Sequence, residues 1–157
     1  MGPGRGEPTD HELWEAHADW WIEGFTEGAD PEYVEQILPL AAGELEGFER
    51  VLDLGCGDGQ ISRILAASGS RVVGVDPTWN QIRVAHERGG GAVYARSEAA
   101  ALPFPQGSFD AVVACLVFDH IDDVDGAIAE VARVLRPGGR FSFVLNHPLL
   151  QTPGSGW

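Results

Sequence analysis

Residues 51–59, Val51-Leu52-Asp53-Leu54-Gly55-Cys56-Gly57-Asp58-Gly59, constrain the fold more than any other part of this chain. A short apolar run passes straight into a turn in which every second residue is glycine, and Ile61, Ile64 and Leu65 then follow at helical spacing. A strand, a tight turn and a helix in that order open a βαβ unit. Glycine is needed in such a turn because a Cβ would hold the backbone away from a ligand and would disfavour positive φ. The amides at the start of the helix are expected to be exposed and able to donate hydrogen bonds.

The rest of the chain extends this pattern. From Arg50 onward, short β-branched runs alternate with amphipathic helices, which predicts a parallel sheet. Strands are expected at about 50–54, 71–75, 92–95, 111–115 and 140–145. After the first helix, a second is marked by Ile82 and Ala85, and a third by Val124, Ala127, Ile128, Val131 and Leu135. Thr78, with Gln81 three residues on, reads as a capping box for the second of these. Right-handed crossovers then give a doubly wound α/β sheet that binds its ligand at the carboxyl ends of the strands, near the point where their order reverses. Ahead of the sheet, the Gly- and Pro-rich stretch 1–9 is expected to be disordered. One helix is expected from about Asp10 to Phe25, and another with Asp30 as N-cap and Pro31 at its first position. Val34, Ile37, Leu38 and Ala41 form its core-facing stripe. With 157 residues, one core is the expectation, divided into an N-terminal tail and helices at 1–49 and a ligand-binding core at 50–157.

Charge narrows the function. The formal net charge is −14, there is no lysine, and Arg5 is the only basic residue before Arg50. Nucleic acid is disfavoured as a partner, because no basic stripe is present to neutralise phosphates. The acidic N-terminal segment reads either as a lid that draws in a cationic substrate or as a solvated helical face. No apolar run approaches the roughly 20 residues that span a bilayer, and the N-terminus lacks the features of a signal peptide, so a cytoplasmic location with no membrane partner is expected. Cys56 and Cys115 show no metal-ligand spacing, and no metal is expected. They are expected to be reduced thiols lying near each other, since strands one and four are neighbours in a doubly wound sheet.

The second strand ends in Asp76, 17 residues beyond Gly59, where a carboxylate can accept both hydroxyls of a ribose; the other reading is a helix cap for the segment beginning Pro77-Thr78. From Asp53 to Leu145 the chain resembles the class I S-adenosylmethionine-dependent methyltransferases, with their Rossmann-like fold. The run Asp53-Leu54-Gly55-Cys56-Gly57-Asp58-Gly59 resembles the family's first motif, which implies that Gly55, Cys56 and Gly57 line the methionine part of the cofactor. Asp76 matches the ribose-binding acid. The resemblance also implies that Pro77, with Trp79 or Gln81, packs on adenine, unless Trp79 is simple helix packing. The segment Ser97-Glu98-Ala99-Ala100-Ala101-Leu102-Pro103-Phe104 resembles the stretch after strand three, so that Glu98 meets the adenine amine and the Ala99 amide a ring nitrogen. Ser97-Glu98 departs from the family's more usual Gly-Asp. Cys115 to His120 resembles the stretch beside the amino-acid portion of the cofactor. Leu135-Arg136-Pro137-Gly138-Gly139-Arg140 resembles the turn before strand five, where Pro and Gly stop the helix and reverse the chain.

The resemblance implies methyl transfer from S-adenosylmethionine, with S-adenosylhomocysteine as product. The sulfonium methyl is already electrophilic, so positioning in line with the departing sulfur is the main demand on the protein. His120 is the candidate general base, its alternative being a structural histidine at the pocket floor. Asp119, Asp122 and Asp123 read as solvated caps of the following helix. Trp14, Trp20 and Trp21 on the first helix read either as a lid over the cofactor or as packing on the sheet. The sequence stops at Trp157, where the family usually has two further strands. The expectation is therefore a fold truncated after strand five, an incomplete acceptor half with poor turnover, and an exposed strand-five edge that promotes self-association. Asn146-His147-Pro148 is not the Asn-Pro-Pro-aromatic motif of nucleic-acid amino-methylating enzymes, which favours a small-molecule acceptor whose methylated atom stays open. Two rivals remain: an NAD-dependent oxidoreductase, and a non-catalytic protein that keeps the cofactor fold.

Overall fold

The computed structural model describes residues 10–26, 30–31 and 33–146. The stretch 1–9 and residues His147 and Pro148 lie outside them. The chain opens with α1 (Asp10–Phe25), followed by a π-helical turn at Tyr33–Ile37 and by α2 (Leu38–Glu44). Then come β1 (Arg50–Leu54), α3 (Gln60–Ala67), β2 (Arg71–Asp76), α4 (Trp79–Arg88), β3 (Val93–Arg96) and β4 (Phe109–Cys115). A 3-10 turn at Phe118–His120, α5 (Val124–Val134) and β5 (Leu135–Val144) complete it.

All four strand pairings are parallel, and the order is β3-β2-β1-β4-β5. The order reverses between β1 and β4, so the crevice at their carboxyl ends is where the doubly wound arrangement was expected to hold a ligand. The central strands are covered on both faces and read as continuous apolar runs for that reason; every residue of β4 is buried. Val51, Ile61, Leu65 and Val113 pack on one face with Leu38, Ala41 and Leu45 around α2. Leu52, Leu54, Val75, Val112, Val131 and Val134 pack on the other, under α5. Asp110 closes the amino end of this layer, with Arg50 Nη2 at 2.9 Å and Arg136 Nε at 2.7 Å.

Three expectations are corrected. Pro137-Gly138-Gly139 does not reverse the chain: Leu135 already pairs with Phe109, and Arg140 with Ala111, so the segment is a bulge within β5. Five steps along β5 there match two along β4, and Gly138 absorbs the excess at φ +75°. Thr78 precedes α4, but its side chain does not cap the helix. Its amide donates to Asp76 Oδ1 at 2.8 Å, and the Trp79 and Asn80 amides donate to the Glu15 carboxylate of α1 at 2.7 and 3.2 Å. Along α5 the buried stripe is Ala127, Val131 and Val134, whereas Val124 and Ile128 are exposed. The helix lies against the sheet by a stripe narrower than its apolar sequence suggested.

Two capping expectations hold. Asp30 accepts from the Tyr33 amide at 3.3 Å, and Asp123 caps α5 by accepting from Gly126 at 2.9 Å. Among the described residues no helix is long and apolar enough to cross a membrane.

Candidate functional site

The glycine turn after β1 is shaped by what crowds it. Gly55 and Gly59 adopt φ of +69° and +87°, and Gly57 one of +52°. A Cβ on Gly55 would lie 2.7 Å from Val117 Cγ1, and one on Gly59 would lie 2.7 Å from Tyr94 Cζ. Two of the three glycines are therefore fixed twice, by backbone conformation and by close approach. Sequence reasoning missed both partners, because Val117 and Tyr94 come from the β4 exit and from β3.

The turn's amides are not exposed. Gly55 and Cys56 both donate to Val75 O, at 2.8 and 2.9 Å, Gly57 donates to Asp76 Oδ2 at 3.1 Å, and Gly59 donates to Cys56 O at 2.9 Å. Asp53, fully buried, accepts from the Ser62 hydroxyl at 2.6 Å and also from the Ser62 amide, placing a carboxylate at the first turn of α3. The Gly55, Cys56, Gly57, Gly59 and Ser62 amides are thus engaged within the protein. A pyrophosphate would find few partners here and an anion already in place.

The surroundings are acidic. Burial lifts the Asp53 carboxyl to about 6, and burial also raises Asp58 and Asp76 above the ordinary carboxylate range. Asp58 is offset by Arg63 and Arg88, which both pair with it. Asp76 accepts from the Thr78 amide at 2.8 Å as well as from Gly57, so it braces the glycine turn against the start of α4. Burial pushes the Cys56 thiol well up and the Cys115 thiol to about 12, and both are free cysteines. Unreactive thiols of this kind act as small apolar surface.

These groups face one cavity of about 320 Å³, a volume typical of small-molecule sites. Asp53, Gly55, Cys56, Gly57, Asp76, Pro77, Gln81, Glu98, Ala99, Cys115 and His120 all line it, so the structure gathers every one of these sequence-predicted residues. Trp79 stands apart, 56% exposed on the outer side of α4. Gln81 is buried, and its Oε1 has no hydrogen-bond partner within the protein. Such an orphan acceptor at a cavity wall suits a ligand that brings a donor.

The roof is α1. Trp14 and Trp21 line the cavity and meet edge to face at 5.6 Å, while Trp20 points outward and is 60% exposed. Trp14 also meets the His120 ring at 4.8 Å. His120 stands on the 3-10 turn with Asp119 Oδ2 3.8 Å from its Nε2. The helix is tied down at both ends, by Glu15 to the start of α4 and by the Thr26 hydroxyl, which accepts from Arg88 Nη1 at 3.1 Å. Acidic walls, orphan and braced acceptors, and consumed amides together fit a ligand that is cationic and donor-bearing.

Comparison with known proteins agrees with this geometry. Residues 52–143 match the family model described as a methyltransferase domain. The chain is 34% identical over 144 residues to the 27-O-demethylrifamycin SV methyltransferase of Amycolatopsis mediterranei, covering 87% of this chain and 50% of that protein. It is 39% identical over 127 residues to the demethylmenaquinone methyltransferase of Thermus thermophilus, covering 77% and 56%. Among solved structures, an S-adenosylmethionine-dependent methyltransferase from Mesorhizobium loti is similar with a TM-score of 0.67 and 31% identity, covering 79% of this chain and 57% of that one. The chain spans about half the length of the curated relatives it matches.

Proposed function

The chain belongs to the class I S-adenosylmethionine-dependent methyltransferases, and from that premise we propose that it binds S-adenosylmethionine beneath α1 and methylates a small-molecule acceptor. The observation that carries this reading is a cavity with buried acids and an orphan acceptor whose glycine-turn amides are already bonded inside the protein. S-adenosylmethionine is a cation rich in donors and has no phosphate. NAD, the rival ligand, would bring a pyrophosphate to a turn with no free amide at Gly55, Cys56, Gly57 or Gly59.

In this reading Asp76 takes the ribose hydroxyls, Pro77 and Gln81 flank the adenine, and Glu98 and the Ala99 amide meet its polar edge. Gly55, Cys56 and Gly57 line the methionine portion, with Cys115 as apolar wall beside it. Asp53 acts through Ser62, holding the turn in place. When bound, the cofactor supplies an electrophilic methyl group. The chain's own part is to orient both reactants, to exclude water under Trp14 and Trp21, and to take the acceptor's proton on His120. A small acceptor is supported by the absence of a basic stripe and by relatives named for rifamycin and menaquinone precursors. Thiols kept reduced fit a cytoplasmic setting.

Calorimetric titration of the full chain with S-adenosylhomocysteine and, separately, with NAD tests the reading. Heat from the first and none from the second is the expected result. Binding of NAD alone would overturn it.

A further inference from the structure

In the reading above, the Glu98 carboxylate and the Ala99 amide meet the polar edge of the adenine. Resting on that reading, we propose that Glu130 and Arg133 of α5 are positioning residues that set which purine base the site accepts, by holding the segment 98–104 in register with the base. Neither side chain lines the cavity. Both act through the backbone of the segment that lends Glu98, Ala99 and Ala100 to its wall.

Residues 97–108 join β3 to β4 without regular structure, so their shape has to be imposed by neighbouring elements. Upstream, the Ser97 amide donates to Asp76 O at 3.1 Å, which fixes the segment to the end of β2. Downstream, α5 is the template. The Leu102 amide donates to Glu130 Oε2 at 2.8 Å, and Arg133 donates to Leu102 O at 2.9 Å and to Phe104 O at 2.6 Å. The Gly107 amide donates to Arg133 O at 2.9 Å, so the same residue also anchors the approach to β4. The Leu102 side chain is buried in one cluster with Val131 and Val134 of α5. Glu98 to Ala101 bridge the two anchors, and the Ala101 amide donates to Glu98 O at 3.2 Å within the bridge.

Glu130 and Arg133 stand at i and i+3, and their side chains meet twice, Nε to Oε1 at 2.6 Å and Nη2 to Oε2 at 2.7 Å. Hydrogen bonding to Arg133 keeps the Glu130 carboxyl below its ordinary range, so the clamp stays charged at neutral pH. A pair that only stabilised α5 would leave its remaining donors to solvent. Here Nη1 goes to Phe104 O, and Nη2 also reaches Leu102 O. Adenine presents an amine and an acceptor nitrogen along its polar edge, which a carboxylate and an amide match. Hypoxanthine presents a carbonyl and an N–H instead, and mismatches both. Hydrogen bonds weaken steeply off line, so the choice between the two bases reports the position of the segment more sharply than affinity does.

The test is calorimetric titration of the full chain with S-adenosylhomocysteine and with S-inosylhomocysteine, read as the ratio of their dissociation constants. The parent should favour the adenine ligand by roughly tenfold or more, the effect of one hydrogen bond to a charged group. Arg133→Met, which keeps the apolar stem, should cut that ratio by about threefold or more, and so should Glu130→Ala, which removes the acceptor for the Leu102 amide. Glu130→Gln still carries an acceptor there and should restore most of the ratio. Arg50→Met breaks a pair of similar exposure with Asp110 at the amino end of the sheet, and should leave the ratio unchanged however far its unfolding midpoint falls. An unchanged ratio in folded Arg133→Met would overturn the proposal, as would an equal loss in Arg50→Met. If Arg133→Met does not fold, Glu130→Ala decides by the same ratio. No binding of S-adenosylhomocysteine by the parent would overturn the cofactor reading, whereas binding without preference between the bases would leave that reading standing and overturn the role given to Glu130 and Arg133.

Discussion

Asp53 and Asp110 belong to neighbouring strands, yet their surroundings move their titrations in opposite directions. Burial lifts Asp53 to about 6, whereas the Arg50 guanidinium and amide, with Arg136, hold Asp110 at about 2. Asp53 therefore favours the folded chain below the unfolded carboxyl value, and that contribution is lost as pH rises through 6. The contribution of Asp110 is present above about 4 and lost only as pH falls through 2. Asp53→Asn removes the first effect and leaves a side chain that can still accept from Ser62. Between pH 4 and pH 7.5 the variant should gain on the parent by ~2 kcal/mol, somewhat under two pH units of linkage; urea midpoints at the two pH values measure it, and a constant gap would refute it. Gly55→Ala should cost more than ~2 kcal/mol, because left-handed backbone strain of ~1–2 kcal/mol adds to the clash with Val117. Val117→Ala in that background should recover part of the loss in the same unfolding measurement. Asp76→Ala should weaken S-adenosylmethionine binding at least tenfold, since a hydrogen bond to a charged group is worth ~1.5–3 kcal/mol. Unchanged affinity in a folded variant, by calorimetry, would reduce Asp76 to a brace between Gly57 and Thr78.

At the level of elements, the strands and the stripes of α3 and α4 were legible because periodicity reports burial directly, whereas the α5 stripe proved narrower than its sequence suggested. The runs at Val51–Leu54 and Ala111–Cys115 are covered on both faces, and Ile61, Leu65, Ile82 and Ala85 do face the core. The expected cavity residues were legible too, since they cluster at strand ends that the topology brings together. What was hidden depends on partners distant in sequence. Pro137-Gly138-Gly139 has the same composition whether it turns or bulges, and only the pairing of Leu135 with Phe109 decides. Free amides were expected at the glycine turn, but Val75 O and Asp76 take them. The Thr78-Gln81 box failed because Glu15 arrives from another helix to cap α4. Glu15→Gln should therefore loosen α1 at that end, with a stability cost of ~1 kcal/mol or less, as for a weakened cap. Amide hydrogen exchange should quicken around residues 12–17 more than near Thr26, which Arg88 still holds. Uniform exchange along α1 would contradict this tether.

Over the whole molecule, the five-stranded sheet has β3 and β5 at its edges, and β5 carries the exposed Phe143, with Leu145 just beyond. If the β5 edge is uncovered in solution, it should favour pairing with a second chain, while a net charge of −14 opposes it. The balance should respond to salt: light scattering should show self-association growing as ionic strength screens the repulsion. A monomer at every salt concentration would show that the edge is protected. The satisfied amides of the glycine turn carry a different consequence, for selection among metabolites. ATP and NAD share adenosine with S-adenosylmethionine and compete with it wherever recognition stops at the nucleoside. If the cavity holds S-adenosylmethionine as proposed, charge should help to sort the 5′ substituent, because the turn offers no spare donors at Gly55, Cys56, Gly57 or Gly59 and stands beside Asp53 and Asp76. On that reading an excess of ATP or NAD should fail to displace S-adenosylhomocysteine from the full chain, because their phosphates would meet buried acids rather than spare donors.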